Sequence, residues 1–410
     1  MKKPQLPTNL SENLDKLGIN KDKASKLLAE ILDMRKKTKL PVDIDKEQPN
    51  AQTDASEQTV KQTMTSHDHV APLRLVFLGG GSFGTAMANM AAKNGCDSTL
   101  WVRNKRSVKQ MQKHRINKKY LPNHQLDETL KFSNNLAESV KDKDIIFVAV
   151  PSSAFREMLQ NIAPHITGQA VVSLTKGMEK DTFALMSDII TQELPEVSYG
   201  VMSGPNLAKE IMDNMPSGTV IASESEQLRH AVQMALHSAF FRVFASDDVR
   251  GVELGGALKN IYAIAMGMAA TYDVGENTKA MILTRALAEM SRFGAHMGAN
   301  PLTFLGLSGV GDLYATCSSE LSRNFRIGKL LAQGVSLENA IKKLGQTAEG
   351  LNTIEQVNQK AKKDGIYMPI TQALYAVIYQ DQAPLGVALH LMESGFRSDV
   401  EFVMPHKNVK

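Results

Sequence analysis

One lysine stands in the most apolar long stretch of this 410-residue chain: over 254–272 the only charged side chain is Lys259, beside Asn260 and preceded by Gly255, Gly256 and Ala257. An ammonium on an apolar helix must snorkel to solvent, pair with a carboxylate, or lose basicity to desolvation. A lysine that titrates nearer neutrality serves as a general acid or base at a carbonyl. Asp312, on the turn Gly309-Val310-Gly311-Asp312-Leu313, offers a carboxylate to pair with it. That position equally suits a helix cap, and a snorkelling lysine at a helix surface is the plain alternative for Lys259.

Other polar groups fall in loops. Ser173-Leu174-Thr175-Lys176-Gly177-Met178 places Lys176 just past an apolar run, where an ammonium can hold a substrate phosphate or hydroxyl as a point charge. Ser203-Gly204-Pro205-Asn206-Leu207-Ala208 repeats the pattern, a Gly-Pro turn opening a helix, and brings Gly204 and Asn206 to the same edge. Ser322-Arg323-Asn324-Phe325-Arg326 is a compact donor cluster; an arginine fork matches phosphate oxygens, while a solvated helix face is the competing reading. Thr347-Ala348-Glu349-Gly350 adds a carboxylate at a further turn. The histidines and the two cysteines show no metal-ligand spacing, so no metal is expected.

These groups need a scaffold, and its organising stretch is Leu73-Arg74-Leu75-Val76-Phe77-Leu78-Gly79-Gly80-Gly81-Ser82-Phe83-Gly84. A short apolar run reads as a buried parallel strand, and Gly79, Gly81 and Gly84 then spell G-x-G-x-x-G before a small-residue helix over 85–93. In that context the first glycine makes the tight turn, the second lets backbone approach a pyrophosphate, and the third lets helix pack on strand. The helix N-terminus adds free N–H groups and positive dipole potential. Arg103 and Arg106 follow the next strand, where NAD-specific sites place an acidic residue; arginine there suits a 2′-phosphate and favours NADP over NAD, a solvated turn bearing two arginines being the competing reading.

Strands are expected over 98–102, 144–151, 169–175, 197–203 and 218–222, alternating with helices, which means a doubly wound α/β domain over 71–245. From 246 to 403 the pattern is helical, with roughly seven helices in an all-α domain, and 404–410 is a tail. Residues 1–70 differ: over 9–37 a lysine-rich amphipathic helix, or equally two shorter helices broken at Gly18 and Asn20, is expected, and a polar linker over 38–69. That extension reads either as dispensable or as a docking helix on a tether. A hydrophobic content of 43% and a charged content of 22% are those of a soluble globular protein, and a net charge of +4 gives no reason to expect a nucleic-acid partner. Cys96 and Cys317, far apart, fit a reducing compartment. The N-terminus has no apolar core of a secretory signal, and the 254–272 stretch is too polar at Lys259 and Asn260 to span a bilayer. The cytoplasm is the expected location, with no stable membrane insertion.

Taken in order, GGGSFGTAMA, Tyr120-Leu121-Pro122, AVPS, SLTKGM, SGPNLAKE, ELGGALKNIYAIA, GLSGVGDLYATC, SRNFRIG and AEG resemble bacterial-type NAD(P)-dependent glycerol-3-phosphate dehydrogenases, over about 73–403. The resemblance implies a Rossmann-like domain followed by a helical domain similar to that of 6-phosphogluconate dehydrogenase. It implies reversible hydride transfer between dihydroxyacetone phosphate and sn-glycerol 3-phosphate, serving phospholipid synthesis, and a homodimer as one assembly to test. On matching positions, Ser82, Phe83, Arg103, Tyr120 and Ala208 would contact cofactor, and Lys176 would contact both cofactor and substrate. Gly204 and Asn206 would contact substrate. Lys259 would donate the proton, with Asp312 setting it. Ser322, Arg323 and Asn324 would hold the substrate phosphate; Arg323, Thr347 and Glu349 would close over the nicotinamide side. Asn206 and Thr347 depart from the family's usual residue types, and the extension lies outside its pattern. A 3-hydroxyacid or 6-phosphogluconate dehydrogenase is the nearest alternative enzyme, disfavoured by SGPNLAKE and SRNFRIG. A non-catalytic NADP sensor is the alternative of another class, and it has no need of a proton donor.

Overall fold

The structure, a computed structural model, describes residues 71–344 and 349–393. The expected helix over 9–37, the linker over 38–69, Thr347 and the tail over 404–410 lie outside the described residues.

Eight strands form one sheet in the order β3-β2-β1-β4-β5-β6-β7-β8. They are β1 (Arg74–Leu78), β2 (Asp97–Trp101), β3 (Lys131–Ser133), β4 (Ile145–Val148), β5 (Ala170–Ser173), β6 (Tyr199–Ser203), β7 (Ser217–Ala222) and β8 (Phe241–Ser246). From β3 through β6 every neighbouring pair is parallel; β6 and β7 run antiparallel, and β8 then runs parallel to β7. Strands β1 and β4 are apolar on both sides because helices cover both faces of the sheet. At their register pair, Phe77 stacks on Phe147 with ring centroids 4.5 Å apart. The covering helices are α1 (Ser82–Lys93), α2 (Lys105–His114), α3 (Leu136–Val140), α4 (Phe155–Ile162), α5 (Met186–Glu193), α6 (Ala208–Met212) and α7 (Glu226–Leu236).

After β8 the described residues hold helices alone: α8 (Val249–Thr271), α9 (Glu276–His296), α10 (Asp312–Cys317), α11 (Arg323–Ala332), α12 (Leu337–Leu344), α13 (Glu349–Asp364), α14 (Pro369–Tyr379) and α15 (Pro384–Glu393). The described residues of this half hold eight α-helices against roughly seven expected, with a 3₁₀ segment (Pro301–Leu305) and a π-helical turn (Leu307–Gly311) among them. Helix α8 is buried on nearly all sides, as a helix apolar all round must be, and the others pack around it. Asp248 starts it by accepting the Gly251 N–H at 2.9 Å.

Two strands escape the sequence reading. β3 has three residues, too few to show alternation. β8 is an edge strand whose outward positions alternate between exposed Arg242 and exposed Phe244, so its pattern is broken by an apolar residue on the wet side.

Candidate active site

The glycine turn joins β1 to α1 as expected. Gly79 has φ +129°, and a Cβ there would lie 2.4 Å from the Ala149 carbonyl oxygen; a Cβ on Gly84 would lie 2.3 Å from the Gly79 oxygen. Strand, turn and helix are therefore in backbone contact that only glycine permits. Gly81 is different: among the described residues, nothing lies within 4 Å of where its Cβ would be. It is the N-cap of α1, and neither a capping side chain nor an acidic residue occupies the first turn. An open cradle over uncapped N–H groups fits a dinucleotide pyrophosphate. Ser82 and Phe83 line that first turn, half-buried. Asn117 donates to the Gly80 oxygen at 3.0 Å and to Thr85 Oγ1 at 2.9 Å, which ties the turn containing Tyr120 to the glycine turn. Arg103 is exposed just beyond β2, and Arg106 lies in the first turn of α2, whose cap is Asn104. Ala208 opens α6, near the carboxyl end of β6.

Deeper in, two lysines converge on one carboxylate. Lys176 Nζ donates to Asp312 Oδ2 at 2.6 Å and to the Gly204 oxygen at 2.9 Å. Lys259 Nζ donates to Asp312 Oδ1 and, at 2.7 Å, to Thr316 Oγ1. Asp312 is 1% exposed and Lys259 7%. Of the two sequence readings of Asp312, pairing holds: the helix before it is a π-turn running straight into α10, with no side-chain cap. Lys259 does not snorkel. Burial pushes its ammonium down to about 8, against the pull of Asp312, and nearby Lys176 adds to the lowering. The approach is close because α8 carries Gly255, whose Cβ would lie 2.3 Å from the Ser308 oxygen of the π-turn. Gly256, one residue on, lies against Ser203 at the carboxyl end of β6.

Around this cluster stand the remaining expected residues. Glu349 opens α13; burial raises its carboxyl, while Arg323, Lys176, Lys259 and the Ser152 backbone N–H pull it down, so these groups share one environment. Asn206 Nδ2 donates to Thr219 Oγ1 at 3.0 Å, and its buried Oδ1 has no partner among the described residues. Ser322 caps α11, accepting from the Phe325 N–H at 3.3 Å. Asn324 donates to Asn260 Oδ1 at 2.8 Å and accepts from the Gly350 N–H at 3.1 Å. The structure thus gives Ser322 and Asn324 internal partners that the sequence did not show: Ser322 caps its own helix, and the bonds of Asn324 lock α11 against α8 and α13. Thr316 was missed altogether; a threonine one turn past Asp312 carries no signal until Lys259 is seen to reach it. Among the described residues no group of three or more His, Cys, Asp or Glu side chains is placed to hold a metal ion, and no helix is long and apolar enough to cross a membrane.

Known proteins resemble this chain in sequence and fold. Residues 74–229 match the family described as NAD-dependent glycerol-3-phosphate dehydrogenase N-terminus, and residues 248–388 match its C-terminus. A glycerol-3-phosphate dehydrogenase [NAD(P)+] of Psychrobacter arcticus is 72% identical over 385 residues, covering 94% of this chain and 88% of that protein. That match takes in part of the first 70 residues. The enzyme of the same name from Acinetobacter baumannii (strain ATCC 17978) is 65% identical over 342 residues, 83% of this chain and 96% of that one. The crystal structure of glycerol-3-phosphate dehydrogenase from Coxiella burnetii superposes with a TM-score of 0.75 at 37% identity, covering 78% of this chain and 99% of its own. With a glycine cradle for a dinucleotide, two lysines on one aspartate, and matches that run through both halves, the chain belongs to the NAD-dependent glycerol-3-phosphate dehydrogenase family.

Proposed function

We propose that this protein interconverts dihydroxyacetone phosphate and sn-glycerol 3-phosphate in the cytoplasm, using NADPH in preference to NADH, and feeds glycerophospholipid synthesis. The observation that carries the reading is the cluster of buried Lys259 and Asp312 with part-buried Lys176. Reduction of a ketone leaves negative charge on oxygen, so an ammonium beside that oxygen both stabilises the charge and supplies the proton. When bound, the nicotinamide supplies the hydride. Lys259 gives its Nζ proton to the carbonyl oxygen on reduction and takes it back from the hydroxyl on oxidation. A value near 8 lets it do both around neutrality. Asp312 fixes the direction of both ammonium groups. Lys176, with Gly204 behind it, holds the second oxygen of the three-carbon unit.

The remote phosphate is the handle that orients the carbonyl. Arg323, Ser322 and Asn324 occupy the start of α11 next to this cluster, and we assign the phosphate to that corner. Arg103 stands past β2, where a 2′-phosphate would lie, which is the basis for the NADPH preference. The buried, unpartnered Oδ1 of Asn206 is an acceptor for a substrate hydroxyl.

The test follows loss of reduced-nicotinamide absorbance at about 340 nm with dihydroxyacetone phosphate. NADPH should turn over faster than NADH, and Arg103→Ala should erase the difference. Lys259→Ala should keep cofactor affinity and lose at least about a hundredfold in kcat. Unchanged turnover in Lys259→Ala removes that lysine from the reaction, and no turnover by the wild type with either cofactor removes the substrate assignment.

A further inference from the structure

Helix α8 carries a second buried ionisable group, six residues before Lys259. Glu253 is 4% exposed and takes no part in the cluster around Asp312. Its Oε1 accepts the Ser187 N–H at 3.1 Å, its Oε2 accepts from Ser187 Oγ, and the Met186 N–H adds a further bond. Those donors belong to the first turn of α5, which no capping side chain of its own satisfies there apart from Asp188, bonded to the Leu185 N–H at 3.0 Å. A carboxylate from another helix therefore completes the start of α5.

The segment that α5 terminates is the one that carries Lys176. Lys176 leaves β5 just after Thr175, and two residues on Met178 forms an antiparallel bridge with Leu185. The Glu179 N–H closes the same ladder by donating to the Ala184 oxygen at 2.9 Å. Met178 and Leu185, 1% and 0% exposed, are buried in the apolar cluster of Leu254, Ala257 and Leu258 on α8. The path is short: Glu253 holds Ser187, Ser187 follows Leu185, Leu185 is bridged to Met178, and Met178 adjoins Lys176 by one glycine. Lys259 lies on the helix that bears Glu253 itself.

We propose that Glu253 is a positioning residue for this reaction, which clamps the base of the Lys176 segment to α8 and so holds Lys176 and Lys259 at the spacing that Asp312 bridges. The proposal rests on the reading of these lysines as the reactive pair. Apolar packing alone would keep the segment near the helix but would not fix its slide along it; hydrogen bonds from three donors to one carboxylate do. The ionised form suits the role, since a carboxylate accepts on both oxygens and a neutral carboxyl must donate on one. Burial raises this carboxyl to about 7, the Ser187 bonds oppose the rise, and Asp188 adds to it. Among the described residues, the other charged or titratable groups facing it are Tyr199, the first residue of β6, and Arg250, which pairs with Asp188 at 3.0 Å.

The test compares Glu253→Gln and Ser187→Ala with wild type in two ways. In the first, hydrogen exchange is followed over residues 174–180 and over α8. Both variants should speed exchange at 174–180 by at least about tenfold, at a pH above 7, with α8 protected as before. Unchanged exchange at 174–180 overturns the proposal, whatever the activity. In the second, kcat/KM is measured from pH 6 to 9. The Glu253→Gln to wild-type ratio should approach one at the acid end, where carboxyl and amide are alike, and fall about tenfold above pH 7, while NADPH affinity stays constant. A ratio that is flat with pH assigns Glu253 to stability alone and overturns the proposal. Should Glu253→Gln fail to fold, Ser187→Ala decides by the same exchange criterion. Wild-type turnover is read separately: its absence counts against the reaction, and the exchange result still judges the clamp.

Discussion

Asp312→Asn removes one charge and almost no volume, and the structure says where the loss falls. The wild-type carboxylate, with a side chain 2% exposed, accepts from Lys176 at 2.6 Å and from Lys259. Withdrawing one partner from a buried ion pair leaves an uncompensated charge at a cost of about 3–5 kcal/mol. Here two ammonium groups are left facing one another, so part of that cost is met by Lys259 releasing its proton more readily. If a third or so reaches it, its midpoint drops by about one pH unit, equivalent to 1.4 kcal/mol. Reduction needs the protonated form: the wild-type rate should be full well below about 8 and fall as pH rises through it. In Asp312→Asn that limb should lie near pH 7 or lower, with about a fivefold loss at pH 8 from protonation alone and a further loss from misdirected ammonium groups. Oxidation needs the neutral form, so its rising limb should move down by the same interval. The assay is initial rate against pH in both directions, with circular dichroism to confirm the fold. A limb that stays where the wild type has it refutes the electrostatic coupling of Asp312 to Lys259.

Gly255→Ala should destabilise the protein by about 1–3 kcal/mol, because the new methyl meets the Ser308 backbone oxygen, which cannot swing aside as a side chain would. It should also lower kcat with NADPH affinity intact, since the π-turn that must retreat leads into Asp312; normal kcat in the folded fraction counts against that link. Glu289 gives a stability prediction. It accepts from the Ile370 N–H at 2.5 Å, from the Thr371 N–H and Oγ1, and from Tyr262 Oη at 3.1 Å, and burial raises its carboxyl to about 7. A group raised on folding contributes stability in full below its unfolded value and loses it as pH rises through the folded one. The stability of Glu289→Gln relative to wild type, followed by thermal melts across pH, should therefore improve between about pH 4.5 and above 7, by up to about 3 kcal/mol. A difference that ignores pH removes Glu289 as the cause.

The sequence displayed the ends of this arrangement better than its middle. Gly79 and Gly84 were legible because backbone contact demands glycine at those positions, Gly81 because the motif leaves the helix start open, and Lys259 because a charge inside an apolar run has few explanations. Asp312 was legible as a carboxylate on a glycine turn, but its choice between pairing and capping was not, since the outcome depends on a helix packed from 53 residues away. Thr316, Glu253 and Ser187 were illegible for the same reason: each is an ordinary residue in an ordinary helix until folding brings its partner to it. Asn324 was legible as a polar group at a helix start, but its bonds to Asn260 and Gly350 were not. The eighth strand hid behind Phe244, whose exposed ring broke the alternation.

The direction change between β6 and β7 has a mechanical consequence. Because β7 and β8 run opposite to β6, Ser246 ends at the amino edge of the sheet, and α8 starts on the side away from the cradle. The helix must travel back along the sheet before its lysine arrives. From Val249 to Lys259 the climb is about 15 Å at 1.5 Å per residue, close to the 17 Å or so of a five-residue strand such as β6. Gly256 accordingly meets Ser203, the last residue of β6. The first half of α8 thus acts as a ruler whose length is set by the sheet. Adding one residue between Asp248 and Gly255 would lift Lys259 by about 1.5 Å and turn it by about 100°, off Asp312 and into the apolar packing. Substitutions in that stretch test contacts, whereas insertions test the measure itself.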